Sequence, residues 1–406
     1  MAGSTASSSE KHARTLLGDA RTVARVYLDY GGFSPVDPRI LGVMRPFLES
    51  GIGNADGAHS YGAEARTALD SARAKVARLC GGAAEGVTFT SGATEANNLA
   101  IRGLVRSGER RHVVASAIEH ISVINSCRDL EKRGHAVTWV PVDGSGRVLP
   151  EAVADAIQPD TALVSIQAAN PEIGTIQPLR EIGRVAGARG VPFHVDAVGA
   201  AGRSPLSAGE CGFDLLTLSS NDLAGPPGVG ALWVRPGAAS LAPLLLGGAQ
   251  ERGLRAGTPN LPAIVGMGVA ADLARTEWPR EVERQRALRD RLIAGVPATV
   301  PGARLTGAVG RDRLPHHASF VVSGVKADSM LLDLDVAGIA ASSGSACATV
   351  TGEASHVLRA IGCDPREQQG ALCFTLGRWT AALDIDAVLE ALPAIVERLR
   401  RLAPAP

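Results

Sequence analysis

The sequence predicts an α/β protein in which a large domain with a mostly parallel sheet is followed by a smaller α+β domain. Apolar runs of strand length alternate with stretches of helical periodicity through more than half of the chain. The length of 406 residues also exceeds that of a usual single domain. These two observations together predict one large domain and one smaller domain.

The order of the predicted elements indicates that the sheet is mostly parallel. Strands that each precede a helix place helices on both faces of a parallel sheet. A Gly/Pro-rich connector between the last two strands suits a tight loop. We expect strands at 86–90, 112–116, 162–167, 192–196, 214–219 and 230–234, and helices at 95–105, 122–133 and 179–189.

The domain boundaries follow from composition and periodicity. Residues 1–25 are rich in Ser, Ala and charge, so we expect a flexible extension. The large domain is predicted at 26–270 and the small domain at 271–406, and part of 26–50 can pack with the small one. A long helix at 262–293, broken near Trp278-Pro279, is expected to link them. The small domain is expected to alternate apolar segments at 318–322, 329–337, 356–361, 371–375 and 385–402.

The composition excludes several classes of function. A hydrophobic content of 45%, a charged content of 20% and a formal net charge of zero are typical of a globular protein without direct nucleic-acid binding. No apolar run reaches the length of a membrane span, and the first residues lack the apolar core of a secretory signal, so we expect a cytoplasmic protein without membrane contact. The six cysteines show no metal-binding spacing and are expected to be reduced thiols.

Two local patterns indicate a ligand site before any family is considered. The segment SGATEANN follows a predicted strand and opens a helix, so the backbone N–H groups of Gly92, Ala93 and Thr94 can hold an anion such as phosphate. The alternative is a plain turn in which Thr94 caps the helix. Asp196 ends an apolar strand, and a carboxylate in that place needs a partner.

Motifs along nearly the whole chain resemble the cysteine desulfurases, the class V group of fold-type I pyridoxal-phosphate (PLP) enzymes. The resemblance implies a fold-type I PLP-transferase architecture, with a sheet of the seven-stranded type, PLP as the cofactor and a homodimer. The matching stretches are YLDYGGFSPVDPRI from Tyr27, FTSGATEANNLAIRG from Phe89, IEHISV from Ile118, PEIGTIQPL from Pro171, FHVDAVGAAG from Phe193, ERGLRAGTPNLPAIVG from Glu251, SSGSAC ending at Cys347, SHVLRAIG from Ser355 and TLGRWT from Thr375.

The resemblance also implies roles for individual residues. Gly92, Ala93 and Thr94 would hold the cofactor phosphate, and Ser219 would contact the cofactor. Thr258, after Arg255, would reach the phosphate site of the neighbouring subunit. His120 would stack on the cofactor ring and handle protons, and Asp196 would pair with the pyridine nitrogen. Cys347 would accept sulfur as a persulfide, and Arg378 would clamp a substrate carboxylate. The alternatives are a plain polar histidine, an inert thiol and a structural ion pair. Asn221 is a further candidate to contact substrate.

The chain departs from the family pattern around the cofactor ring. Asp222 stands where the family has the lysine that forms the Schiff base with PLP. Pro171, Gly199 and Cys373 stand where the family has asparagine, glutamine and arginine. The lysines of the chain lie in segments that align elsewhere, at Lys11, Lys75, Lys132 and Lys326. We therefore expect no covalent PLP, and non-covalent PLP binding stays open.

Three functions are compatible with this pattern. The first is a desulfurase-like protein that has lost PLP chemistry and acts in sulfur transfer through Cys347, or as a partner subunit of an active relative. The second is a PLP-independent enzyme of a biosynthetic pathway, in which Asp222, His120 and Cys347 supply acid, base and nucleophile and the SGAT loop and Arg378 bind an anionic small molecule. The third is a cysteine desulfurase with non-covalent PLP.

Overall fold

The computed structural model describes residues 25–50, 52–344 and 355–402. The predicted extension at 1–25 therefore lies almost wholly outside the described residues. The strands are Val26–Tyr27, Val87–Thr90, His112–Ser116, Ala136–Val140, Thr161–Ser165, Phe193–Asp196, Leu215–Ser219, Gly230–Val234, Ala303–Leu305, His317–Val322, Ile339–Ala340 and Ala371–Thr375. The α-helices are Pro38–Glu49, Ser60–Leu79, Ala93–Asn98, Leu104–Ser107, Ile121–Lys132, Pro150–Ala156, Leu179–Ala188, Ala208–Cys211, Leu261–Thr299, Ala327–Val336, His356–Ala360, Pro365–Gln368 and Ala382–Leu402.

The large sheet has seven strands and is mostly parallel, which confirms the predicted class. Gly230–Val234 is antiparallel to both of its neighbours, Val87–Thr90 and Leu215–Ser219, and the other neighbouring pairs are parallel. The sheet is buried because helices cover it, and the central strands Thr161–Ser165 and Phe193–Asp196 are buried along their whole length. From edge to edge the strands begin at Val87, Gly230, Leu215, Phe193, Thr161, His112 and Ala136.

A second core belongs to the C-terminal part of the chain. A three-stranded antiparallel sheet, in the order Ala371–Thr375, His317–Val322 and Ala303–Leu305, packs with the last helix. Leu28 is fully buried in this second core, whereas Ile40 belongs to the core of the large sheet. The first described residues thus pack with the C-terminal part, as the sequence allowed.

The predicted break near Trp278-Pro279 is wrong, because one helix runs continuously over Leu261–Thr299. A proline inside a helix removes one backbone hydrogen bond. Pro279 and Arg275, whose carbonyl loses that bond, are both exposed, so water can replace the missing donor. The helix therefore passes through the proline and joins the two cores.

Sequence periodicity missed several elements. The strand Ala136–Val140, with the sequence AVTWV, is an edge strand of the large sheet and is only partly buried. The helix Pro38–Glu49 begins with an N-cap that the sequence displays, because the Asp37 side chain accepts from the Arg39 N–H and Pro38 occupies the first turn. No helix in the described ranges is long and apolar enough to cross a membrane.

Candidate active site

The functional side chains meet where parallel strands of the large sheet end. His120 follows the strand His112–Ser116, and Asp196 is the last residue of Phe193–Asp196. The carboxyl ends of parallel strands lie at one edge of a sheet, which is where ligands bind in open α/β proteins. A cavity of about 820 Å³ opens there, and its wall includes His120, Asn221 and Asp222.

A hydrogen-bonded chain connects His120 with Asp196. His120 Nδ1 lies 2.8 Å from the Ser122 hydroxyl, and the Asn97 amide donates both to that hydroxyl at 2.9 Å and to the Asp196 carboxylate at 2.7 Å. The Val198 N–H donates to the other Asp196 oxygen at 3.1 Å. Asp196 is buried, so these donors satisfy a carboxylate that burial would otherwise disfavour.

A helix begins where the sequence predicts the anion-binding site. The helix begins at Ala93, and Gly92 is its N-cap. Gly230 passes so close behind the turn that a side-chain Cβ there would lie 2.6 Å from the Gly92 carbonyl carbon, which explains the glycine. Gly92, Ala93 and Thr94 are not part of the cavity wall described above.

The loop that carries Thr258 is tied to the same helix. Arg255 pairs with Glu95 at 3.1 Å, and the other Glu95 oxygen accepts from the Ser91 N–H at 2.7 Å. Thr258 itself is exposed. Its predicted reach into a neighbouring subunit stays a prediction, since only one chain is described.

Asp222 lies in a short helical turn at Asn221–Leu223 that follows Leu215–Ser219. Burial raises the pKa of Asp222, whereas the Arg203 charge and a hydrogen bond from the Ser219 side chain lower it. The Asn221 side-chain oxygen is buried without a hydrogen-bond partner. Both residues lie in the cavity wall, as the sequence predicted for a site.

The structure brings in charged residues that sequence reasoning missed. Arg203, His316 and His317 line the cavity, together with Glu119 and Glu172. Arg203 lies seven residues after Asp196 on the same sheet edge, and Glu119 directly precedes His120, so strand-end position is the signal that could have found them. Nothing in the local sequence near His316 indicates the site, because His316 directly precedes the strand His317–Val322 of the second core.

Burial raises the pKa of two carboxyl groups in this wall. Glu119 is fully buried, accepts from the Gln167 N–H at 2.9 Å, and has a second oxygen without a partner. Burial raises its pKa well above the usual range. Burial likewise raises the pKa of Glu172 to about 7, although a hydrogen bond from Ser355 opposes the shift.

Two predicted residues are not brought into this group. Arg378 does not line the 820 Å³ cavity. Its guanidinium pairs with Glu277 and lies 3.5 Å from Asp37, in the wall of a smaller cavity of about 100 Å³. This placement corresponds to the structural ion pair that was the alternative to a substrate clamp. Cys347 lies outside the described residues, but Gly344 and Ser355, on either side of its segment, line the large cavity.

The residues of the cavity do not fit covalently bound PLP. His120 lines the cavity, but Asp222 is a carboxylate, and a carboxylate cannot form a Schiff base. None of the described lysines, Lys75, Lys132 and Lys326, lines the cavity. We therefore derive no step of chemistry through PLP.

Comparison with known proteins agrees with this architecture. The family model for aminotransferase class-V matches residues 26–387. The fold and the sheet-edge cavity define a protein of the fold-type I α/β class, and the chain belongs to the aminotransferase class-V family.

Within that family the chain is similar to cysteine desulfurases. It is 46% identical to cysteine desulfurase IscS 1 of Archaeoglobus fulgidus, over 93% of this chain and 98% of the relative. It is 41% identical to cysteine desulfurase IscS of Dictyoglomus turgidum, over 93% of this chain and 96% of the relative. A solved NifS-like protein superimposes with a TM-score of 0.86 at 33% identity, covering 92% of this chain and all of the other.

Proposed function

We propose that this protein is a cysteine desulfurase homologue that forms no Schiff base with PLP and acts in sulfur transfer through Cys347. The observation that carries the proposal is Asp222, which lies in the cavity wall at the place of the family lysine. The lysine normally activates the cofactor aldehyde and moves the substrate proton. A carboxylate there supplies neither function.

The residues around Asp222 support the proposal that the cavity does not hold PLP through a Schiff base. Pro171 and Gly199, where the family has two polar side chains, also line the cavity and offer no side-chain donor to a cofactor ring. Arg203 moderates the charge of Asp222. The cavity thus accommodates a carboxylate where the family holds an amine.

The segment proposed to carry sulfur keeps the family sequence. The segment SSGSAC that ends at Cys347 matches the family pattern, and its described neighbours Gly344 and Ser355 line the cavity. In the proposed step, the Cys347 thiolate attacks the outer sulfur of a low-molecular-weight persulfide. A new S–S bond forms as the old one breaks, and the donor leaves as a thiolate. No net oxidant is required.

The first experiment measures cofactor attachment. The purified protein is incubated with PLP, reduced with borohydride and weighed intact, and its absorbance is recorded before and after addition of cysteine. We expect no covalent mass gain and no cysteine-dependent spectral change. The matched control is Asp222→Lys, which restores the amine at the same site. A cysteine-dependent band with sulfide release in the unmodified protein would instead establish a desulfurase with non-covalent PLP.

The second experiment measures sulfur transfer. The protein is treated with cysteine persulfide, and intact mass and peptide mapping locate any added sulfur. We expect one sulfur atom on Cys347, and none in the Cys347→Ser variant. Persulfide on other cysteines only, or on none, would overturn the sulfur-transfer role. A homodimer, also proposed from the family resemblance, is checked by light scattering of the same sample.

A further inference from the structure

Two neighbouring aliphatic side chains are exposed on the helix Ala327–Val336 of the second core. Leu332 and Val336 lie one turn apart on this helix and are 67% and 85% exposed. Met330 and Leu334, on the other side of the helix, are buried in the second core. The outer face of the helix thus presents apolar surface to water, and a segment that covered it would gain free energy by burying that surface.

The same outer face carries negative charge. The last turn of the helix contains Asp333 and Asp335 and no basic residue, although the C-terminal end of a helix has a partial negative charge that cations stabilise. Arg398 pairs with Asp333. Asp328 and Asp335 are exposed, and neither forms an ion pair with a residue that the structure describes. The outer face is therefore both apolar and acidic.

The chain enters the described structure beside the C-terminal end of this helix. Val26 pairs in parallel with Ile339, and the Val26 N–H donates to the Gly338 carbonyl at 2.9 Å. Gly338 follows Val336 by two residues, which span at most about 7 Å. Paired parallel strands run in the same direction, so the residues that precede Val26 start next to the end of the helix.

The sequence that precedes Val26 has the complementary composition. Residues 11–24 (KHARTLLGDARTVA) contain Leu16, Leu17 and Val23, together with three basic residues and one aspartate. These residues precede the match to the family model, which begins at residue 26. Fourteen residues reach about 46 Å when extended, whereas the outer face from one end to the other is about 12 Å long. The segment is therefore long enough to cover the face.

We propose that residues 11–24 of the same chain dock on the outer face of Ala327–Val336, with their leucines and valine on the exposed aliphatic side chains and with Arg14 and Arg21 beside its aspartates. Attachment beside the helix gives this segment a high effective concentration, which favours it over a second copy of the chain. The contact limits the flexibility that composition alone predicts for residues 1–25. It needs neither Cys347 nor PLP, so it is independent of the proposed function.

The experiment measures trypsin cleavage of the full-length protein after Arg14 and Arg21 by intact mass. A docked segment resists the protease, so we expect cleavage about tenfold slower in the unmodified protein than in the double variant Leu332→Ser/Val336→Ser. The matched control is Leu383→Ser, at an exposed position about 22 Å along the last helix from Arg398. Equal cleavage of the unmodified protein and the double variant would overturn the proposal, as would an equal acceleration by Leu383→Ser.

A charge exchange tests the occupant. Arg21→Glu should accelerate cleavage after Arg14, and the addition of Asp335→Arg should restore slow cleavage, because the opposite charges are then exchanged. Glu151→Arg, at an exposed helix position of the large domain, should not restore it. Equal restoration by both substitutions, or by neither, would overturn the charge pairing. Protection that disappears on dilution would identify a second copy as the occupant and overturn docking within one chain.

Discussion

His317 Nε2 lies 2.9 Å from the carbonyl oxygen of Pro171 and joins two of the positions at which this chain departs from the family pattern. The Cys373 sulfur lies 3.3 Å from the same nitrogen. Arg313 donates to His317 Nδ1 at 3.3 Å, so the proton of the neutral ring is assigned to Nε2. Pro171 and Cys373 thus share one buried imidazole, which indicates that these departures are structurally coupled.

Replacement of His317 by leucine should therefore destabilise the protein. The Pro171 carbonyl would lose its His317 donor, at a cost of about 1–3 kcal/mol for an unsatisfied buried polar group. Chemical denaturation of His317→Leu checks this value. The matched control is His135→Leu, because the buried Nδ1 of His135 has no hydrogen-bond partner to lose. Equal stability of the two variants would argue against the coupling.

Glu172 should make stability depend on pH. Its folded-state pKa of about 7 lies above the unfolded value of 4.5, so the folded protein binds the proton more tightly. Its contribution is fully present below pH 4.5 and is lost as the pH rises through about 7, with a change of about 3 kcal/mol. Glu172→Gln should remove this loss, as measured by urea unfolding at pH 5 and pH 8. An unchanged pH slope would contradict the prediction, and Glu151→Gln, at an exposed helix position, is the control.

Two glycines of the helix Leu179–Ala188 should respond in opposite directions to alanine. A Cβ at Gly183 would lie 2.0 Å from the Cys211 carbonyl oxygen, whereas a Cβ at Gly187 meets nothing within 4 Å. Gly183→Ala should cost about 1–3 kcal/mol through overpacking. Gly187→Ala should gain about 0.5–1 kcal/mol from helix propensity. Thermal unfolding compares them, and destabilisation of both variants would show that the close approach is not the cause.

Thiol reactivity should separate Cys347 from the described cysteines. Burial raises the pKa of Cys80 and Cys127 to about 12 and also raises that of Cys373, so these thiols resist ionisation at pH 8. We expect the fast phase of labelling by a disulfide reagent to correspond to about one thiol and to disappear in Cys347→Ser. A fast phase that survives this substitution would contradict the expectation that Cys347 is the reactive thiol.

Arg378→Gln should affect stability only slightly. Arg39 also pairs with Asp37 and Glu277, at 2.8 and 2.7 Å, so these carboxylates keep a cationic partner. The loss of a partly exposed pair costs about 1 kcal/mol or less. Urea unfolding of Arg378→Gln beside the unmodified protein measures the difference. A loss of stability well above about 1 kcal/mol would contradict the view that Arg39 replaces Arg378 as the partner of these carboxylates.

Most of the fold could be predicted because its signals are local. The strands His112–Ser116 and Gly230–Val234 contain the apolar runs Val-Val-Ala and Ala-Leu-Trp-Val, which indicate buried positions in a sheet. The continuity of the long helix through Pro279 depends on solvent exposure, which the sequence does not display.

The sequence by itself determined the family, the strand ends that carry His120 and Asp196, and the presence of a carboxylate at Asp222, because each is a matter of residue identity or local periodicity. Only the tertiary structure decided that Arg378 pairs with Glu277 and that Arg203 and His316 face the cavity. Arg203 follows a strand of the large sheet, whereas His316 precedes a strand of the second core. Their proximity arises from the packing of two domains, and no local pattern encodes a contact between residues so far apart in the chain.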